Sequence, residues 1–240
     1  HRKDLSDKED NPEQQSFIRM LPRAFLYPVK GNGMMILVGG TIFFWFFQLI
    51  ASWSIFGFLI GIFLSGYICA YMIKIINSSA SGRETLPEWP EFLDLWGSIL
   101  SPLFLVIATA IVSFAPAVIY AFVLLPRGAP AVIWPVLVVI GVFYQPMALL
   151  AAAVSGNIKV LNPLIIIPSI FRVLIEYLVA CLLFFVLISI RKSGAVFMII
   201  PIPILNSMIV NFLALYFLMV QMRILGSIYF YRKQKMGWDD

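Results

Sequence analysis

Of the 240 residues, 61% are hydrophobic and 12% are charged, and 17 basic against 12 acidic side chains leave a net charge of +5. An average soluble domain carries roughly 25% charged residues, so a water-soluble globule is excluded. Apolar runs of about 18 or more residues recur along the chain without polar–apolar alternation, which excludes a β-barrel and makes this an all-α, polytopic membrane protein.

Residues 1–12 mix charges with a proline and have nothing to bury, so a disordered tail is expected. Over residues 13–30 the spacing predicts an amphipathic interfacial helix. From Ser16, a candidate N-cap, Phe17, Met20, Leu21, Ala24 and Phe25 recur at helical spacing, while Arg19 and Arg23 stand on another face among lipid headgroups. Pro22 and Pro28 should bend and then end this helix, and Gly31-Asn32-Gly33 turns the chain into the bilayer.

Residues 31–228 are read as a six-helix transmembrane domain built of three hairpins. Positions 34–76 suit two spans with a break near Ser52-Trp53-Ser54. On the second span Gly57, Gly61 and Ser65 recur every four residues, as do Gly66 and Ala70, offering small faces for helix packing. A third span is expected over 98–125, with Pro102 and Pro116, and a fourth over 132–154, with Pro135 and Pro146. Asn162-Pro163 has the form of an N-cap followed by a first-turn proline. A fifth helix from Pro163 to Ile190 would measure roughly 42 Å, so its start is expected to be tilted, kinked at Pro168 or outside the hydrocarbon. Arg191-Lys192-Ser193-Gly194 turns the chain into a sixth span, 199–224, and residues 229–240 read as a cytoplasmic tail. Ser81-Gly82 before Leu86-Pro87 has a faint echo in Ser155-Gly156 before Leu161-Asn162-Pro163.

Six spans put both termini on one side. That side then gathers 14 of the 17 basic residues, leaving Arg127, Arg191 and Lys192 on the other. Such a bias predicts cytoplasmic termini.

The polar interruption at 82–96 holds four of the twelve acidic residues together with two tryptophans. Pro87 and Pro90 stiffen it, and Pro90 suits the first turn of a helix in which Glu91 meets the positive end of the dipole. Two readings stand side by side. One is a rigid re-entry anchored at the interface by Trp89 and Trp96; the other is a partner-binding epitope made of Glu84, Glu88, Trp89, Glu91, Asp94 and Trp96. The one histidine is His1, so no metal site, nucleophile or cofactor is expected. Cys69 and Cys181 fall inside apolar runs and read as small hydrophobes.

Within the spans, Arg172 and Glu176 are four apart and can pair, with Arg223 as the other candidate partner of Glu176. A structural ion pair and a proton or substrate site are both open for this trio, because intramembrane charge is costly. Ser207 and Asn211, with Asn206 beside them, and Gln145 are expected in interhelical hydrogen bonds.

Tyr27-Pro28, Gly66-Tyr67, Gly82 through Leu86-Pro87-Glu88-Trp89, and Asn162-Pro163 together resemble the prokaryotic multi-pass membrane proteins grouped as domain of unknown function 4013. The likeness covers residues 17–228, with the Leu-Pro-Glu-Trp core its most specific part. It implies a six-helix integral membrane protein of the prokaryotic inner membrane, with no catalytic residues to carry over. Soluble extensions before this domain are frequent in the family, so an N-terminus trimmed from a longer protein is compatible with the resemblance. The expected function is a non-enzymatic membrane subunit or scaffold whose partners are lipids and other membrane or cytoplasmic proteins, not nucleic acid. The alternative is a small transporter or lipid-handling protein.

Overall fold

The computed structural model describes residues 12–91, 95–192 and 203–238. The expected disordered tail, the turn at Ser193-Gly194 and Asp94 lie outside the described residues. All regular structure among the described residues is helical: α1 (Pro12–Leu26), α2 (Gly33–Trp53), α3 (Gly57–Ala80), α4 (Ser101–Ile119), α5 (Ile133–Ser155), α6 (Pro163–Arg172), α7 (Leu174–Lys192) and α8 (Pro203–Met236). Five helical runs are long and apolar enough to cross a bilayer, and there are six if the bent pair α6–α7 counts as one span. Helices α2 and α3, α4 and α5, and α7 and α8 pack against each other, the three hairpins that the hydropathy predicts. Outward-facing Ile42, Phe58, Ile111, Phe122, Ile140 and Leu182 are exposed and meet lipid.

The bundle is organised on α8, which touches α1, α2, α3, α5, α6 and α7. Its apolar residues run round the whole circumference, so no side of it is committed to solvent. At 34 residues it measures about 51 Å and projects well beyond a hydrocarbon core of about 30 Å. This corrects the reading of a span at 199–224 followed by a tail from 229: residues 229–236 are the last turns of the same helix.

Two prolines shape the third span. A π-helical turn at Trp96–Leu100 precedes Pro102, and another at Tyr120–Leu124 precedes Pro126. A proline ring collides with the carbonyl four residues back, here Ser98 and Phe122, and widening the preceding turn relieves the collision. The ladder shifts accordingly, with the Ser101 amide donating to the Trp96 carbonyl and the Leu125 amide to the Tyr120 carbonyl.

The fifth span is broken at Val173 rather than kinked at Pro168. Helices α6 and α7 meet at 96°. The Asn162 side chain caps α6, accepting from the Leu164 amide at 3.0 Å as its sequence predicts. On the inner side of α6 Ile166 and Ser169 are buried, whereas Leu164 and Phe171 are exposed. It is therefore a second short amphipathic helix, packed on α5, α7 and α8.

Helix α1 begins at Pro12, so Ser16 lies inside it and is not its cap. Met20, Ala24 and Tyr27 are buried against the bundle, and Arg19 and Arg23 are exposed as expected. The Tyr216 hydroxyl of α8 donates to the Phe25 carbonyl at 2.7 Å and ties the two helices together.

Close backbone approach occurs at Gly57 of the predicted stripe and at several glycines outside it. A Cβ on Gly226 would lie 2.5 Å from the Ile76 carbonyl oxygen, one on Gly141 2.8 Å from that of Ser113, and one on Gly66 2.6 Å from the Ile99 side chain. These glycines join α8 to α3, α5 to α4, and α3 to the start of the third span. Gly61, by contrast, meets nothing within 4 Å, and Ser65 is exposed and bonded to the Gly61 carbonyl, whereas a Cβ on Gly57 would lie 2.2 Å from the Ala51 carbonyl oxygen of α2. The Gly61–Ser65 part of the predicted face is thus open, Gly57 lets α3 start close against the end of α2, and the Gly66–Ala70 row packs on the third span. Accordingly Gly66→Val should destabilise the detergent-solubilised protein by about 1–3 kcal/mol through overpacking, while Gly61→Val leaves it unchanged within about 0.5 kcal/mol. Equal melting temperatures for the two variants would contradict this assignment.

Candidate functional site

The loop after α3 starts at Gly82, whose φ of +75° suits glycine. The Gly82 amide donates to the Ser79 carbonyl at 3.0 Å and the Arg83 amide to the Ser78 carbonyl at 3.1 Å, closing the helix end in a Schellman arrangement. Gly156 ends α5 with φ +64° and its amide donates to the Ala152 carbonyl at 2.9 Å, so the two echoing connections share a left-handed glycine but not the Schellman bonding.

From Arg83 to Glu91 the backbone is irregular, bending at Thr85, and its carbonyls lack helical partners. Side chains of the surrounding elements supply donors instead. Arg223 donates to the Arg83 carbonyl. Tyr27 donates to Thr85 at 3.2 Å, Tyr71 to Pro87 at 3.3 Å, Lys74 to Trp89 at 3.4 Å, and Tyr67 to Pro90 at 2.9 Å. Buried backbone polar groups need such partners, so this set of donors holds the loop in one conformation.

Trp89 completes the lock. Its ring stacks on Tyr71 with centroids 4.1 Å apart and on Tyr67 at 5.6 Å, with Phe44 at 6.0 Å. Gly40 of α2 makes room for it, since a Cβ there would stand 2.3 Å from the indole. The expectation that Trp89 is an interface anchor or a partner-facing residue is therefore corrected: it is driven inward by aromatic packing. Glu84 is engaged as well, accepting from Lys30 Nζ at 2.9 Å. That hydrogen bond and charge, followed by Arg223 and Arg23, hold the Glu84 carboxyl below the usual carboxylate range. Glu88 and Glu91 are exposed, and so is Trp96, at 69%. Trp96 edges a cleft of about 700 Å³ that also takes in Asn77, Ser101 and Asn157.

The charged trio does not assemble as the spacing predicts. Glu176 pairs with Arg232 of α8, and both are buried, at 7% and 3% exposure. Arg172 donates to the Met236 carbonyl at 2.8 Å, and Arg223 lies over the Tyr27 ring at 4.7 Å. The break at Val173 puts Arg172 and Glu176 on helices nearly perpendicular to each other, so the i,i+4 relation does not apply. Trp238 donates to Ser169 at 2.8 Å, closing the end of α8 onto α6.

Polar side chains deeper in the spans bond in pairs. Trp45 donates to Ser207 at 2.9 Å, Gln48 and Asn211 bond reciprocally at 3.4 and 3.2 Å, and Gln145 joins Thr109 at 3.1 Å and Ser113 at 2.7 Å. An apolar pocket of about 590 Å³ opens between α4, α5 and α7, with Phe114, Pro146 and Phe185 in its wall. Among the described residues no group of three His, Cys, Asp or Glu side chains is placed to hold a metal ion.

Comparison with protein families, with curated proteins and with solved structures finds no significant match.

The residues that hold the loop escape a reading based on loop composition. Tyr67, Tyr71 and Lys74 are spaced i, i+4 and i+7 on α3, one polar stripe on an otherwise apolar helix. That stripe is the signal that could have located them. Arg232 carries no comparable signal, because its partner is 56 residues away in sequence.

Proposed function

We propose that this integral membrane protein is a non-enzymatic subunit or scaffold that binds a protein partner through the exposed part of its 82–96 loop. The observation that carries this reading is the inward lock of Trp89, which leaves Glu88 and Glu91 exposed on a backbone that has already lost its freedom. A pre-ordered epitope has less entropy to lose on binding. Trp96, a large apolar side chain at the end of the same loop, supplies the kind of anchor that dominates interfaces. Trp89 leaves the expected partner-binding set, because its ring is packed within the chain, whereas Glu84 stays exposed beside Lys30. The open Gly61–Ser65 face is a second surface suited to another transmembrane helix.

The resemblance to domain of unknown function 4013 and the location in a prokaryotic inner membrane are part of the same proposal. So is the cytoplasmic placement of the termini and the loop, which rests on the bias of basic residues. A membrane-impermeant maleimide should label Glu88→Cys in inside-out vesicles and not in intact cells; labelling of intact cells would reverse the orientation. The transporter alternative is weakened, since Glu176 is sealed against Arg232 and lines neither the apolar pocket nor the Trp96 cleft.

Co-purification from native membranes tests the docking role. The triple variant Glu88→Gln, Glu91→Gln, Trp96→Ala should retain its melting temperature and lose the partner by about tenfold or more, as removal of an anchor implies. Unchanged recovery of every co-purifying protein would sink the proposal.

A further inference from the structure

We infer that a pocket between α1, the loop and α8 is a binding site for a phosphate group carried at the membrane surface. Its volume is about 210 Å³, and its polar wall consists of Arg23, Tyr27, Lys30, Glu84, Arg223 and Tyr231. At about 30 Å³ per water the space holds roughly seven waters, enough for a phosphate and part of the alcohol it esterifies. Three cations face one carboxylate there.

The wall is built rather than accidental. Arg223 is fixed on one side by the Arg83 carbonyl and on the other by the face of Tyr27, 4.7 Å from its carbon to the ring centroid. Tyr27, 3% exposed, is itself held by the Thr85 carbonyl. A guanidinium has five N–H donors and matches phosphate in a forked geometry, so an arginine anchored this way keeps donors for an anion. Arg23 comes from the adjacent amphipathic helix, and it is exposed. Lys30 and Glu84 have side-chain exposures of 63% and 66%, so their pair is worth little and Lys30 can exchange the carboxylate for a phosphate.

The apolar surroundings point to a lipid as the source of the phosphate. Met20 and Leu26 complete the pocket wall, and exposed Met34, Met35 and Val38 continue along the outer face of α2. Acyl chains attached to a phosphate in the pocket would find that surface. Basic pockets at the polar ends of spans are suited to anionic headgroups. A soluble phosphate ester would use the same cations without the α2 surface.

The test uses the full chain in maltoside micelles, with dioctanoyl phosphatidylglycerol, dioctanoyl phosphatidylcholine and inorganic phosphate as probes, and affinities read by native mass spectrometry and calorimetry. Phosphatidylglycerol should bind tightest. Arg23→Gln should weaken it about fivefold, and Glu84→Gln, which removes the competing charge and releases Lys30, should tighten it about threefold. Inorganic phosphate binding as well as the lipid, with the same opposed effects of the two variants, would assign the site to a soluble phosphate ester. The proposal is overturned if the two substitutions leave the affinity for every probe unchanged or move it in the same direction. A merely structural role for Glu84 cannot produce tighter binding on its removal. Glu88, Glu91 and Trp96 do not line this pocket, so the outcome is separable from that of the docking experiment.

Discussion

Trp89→Ala is expected to destabilise the protein by about 3 kcal/mol, the lower end of the range for truncating a packed aromatic, because Trp89 keeps part of its surface exposed. For a chain of this size the melting temperature in detergent should fall by roughly 6–12 °C. The loss has two sources. Stacking on Tyr67 and Tyr71 disappears, and the space that Gly40 leaves for the indole becomes a cavity between α2 and α3. The tyrosine and lysine donors to Pro87, Trp89 and Pro90 then act on a loop that has lost its aromatic anchor and keeps Leu86 against the core. Protease cleavage after Arg83 should therefore accelerate in step with the loss of stability, and Trp89→Phe should fall between the two. A variant that melts within about 2 °C of the parent and stays resistant to protease would show that the carbonyl contacts suffice without the ring. Partner recovery should drop with Trp89→Ala even though the indole itself faces inward, since the epitope would no longer be pre-ordered.

Glu176→Gln and Arg232→Met should each cost about 3–5 kcal/mol, because either one strands a buried charge. The double replacement Glu176→Leu, Arg232→Met removes both charges together and should recover most of that loss. Desolvation makes the pair expensive to break without making it strongly stabilising, so single and double variants diverge in this way. Arg172→Ala and Arg223→Ala serve as controls. Neither contacts Glu176, so each should add to Glu176→Gln within about 0.5 kcal/mol. Strong coupling between Arg172 and Glu176 in a double-mutant cycle would mean that the helix runs unbroken through Val173. Thermal unfolding in one detergent, with the seven variants side by side, decides between the two geometries.

Both outcomes bear on how the fold is encoded. Hydropathy and proline positions mark α2, α3, α4, α5 and the capping of α6 by Asn162, because length against bilayer thickness and local capping are properties of neighbouring residues. The loop at 82–96 is also visible in the sequence, as is its stiffness from Pro87 and Pro90. The direction in which Trp89 faces is not, since it depends on Gly40 and on two tyrosines of α3. The ion pair was assigned to Arg172 and Arg223 by helical periodicity and by nearness in the expected topology. That arithmetic assumes a continuous fifth helix, and the chain turns by 96° between Arg172 and Leu174.

The sequence by itself determined an all-α membrane protein and its hairpin order, because the bilayer acts on each apolar run separately and every run carries its own length. Only the tertiary structure decided which carboxylates are spoken for, which glycines are packed and where the cations converge. These outcomes depend on donors and surfaces brought together from α1, α3, the loop and α8, up to 191 positions apart for Tyr216 and Phe25. No local pattern records such a meeting, since each residue's burial is set by partners that the chain reaches only after folding.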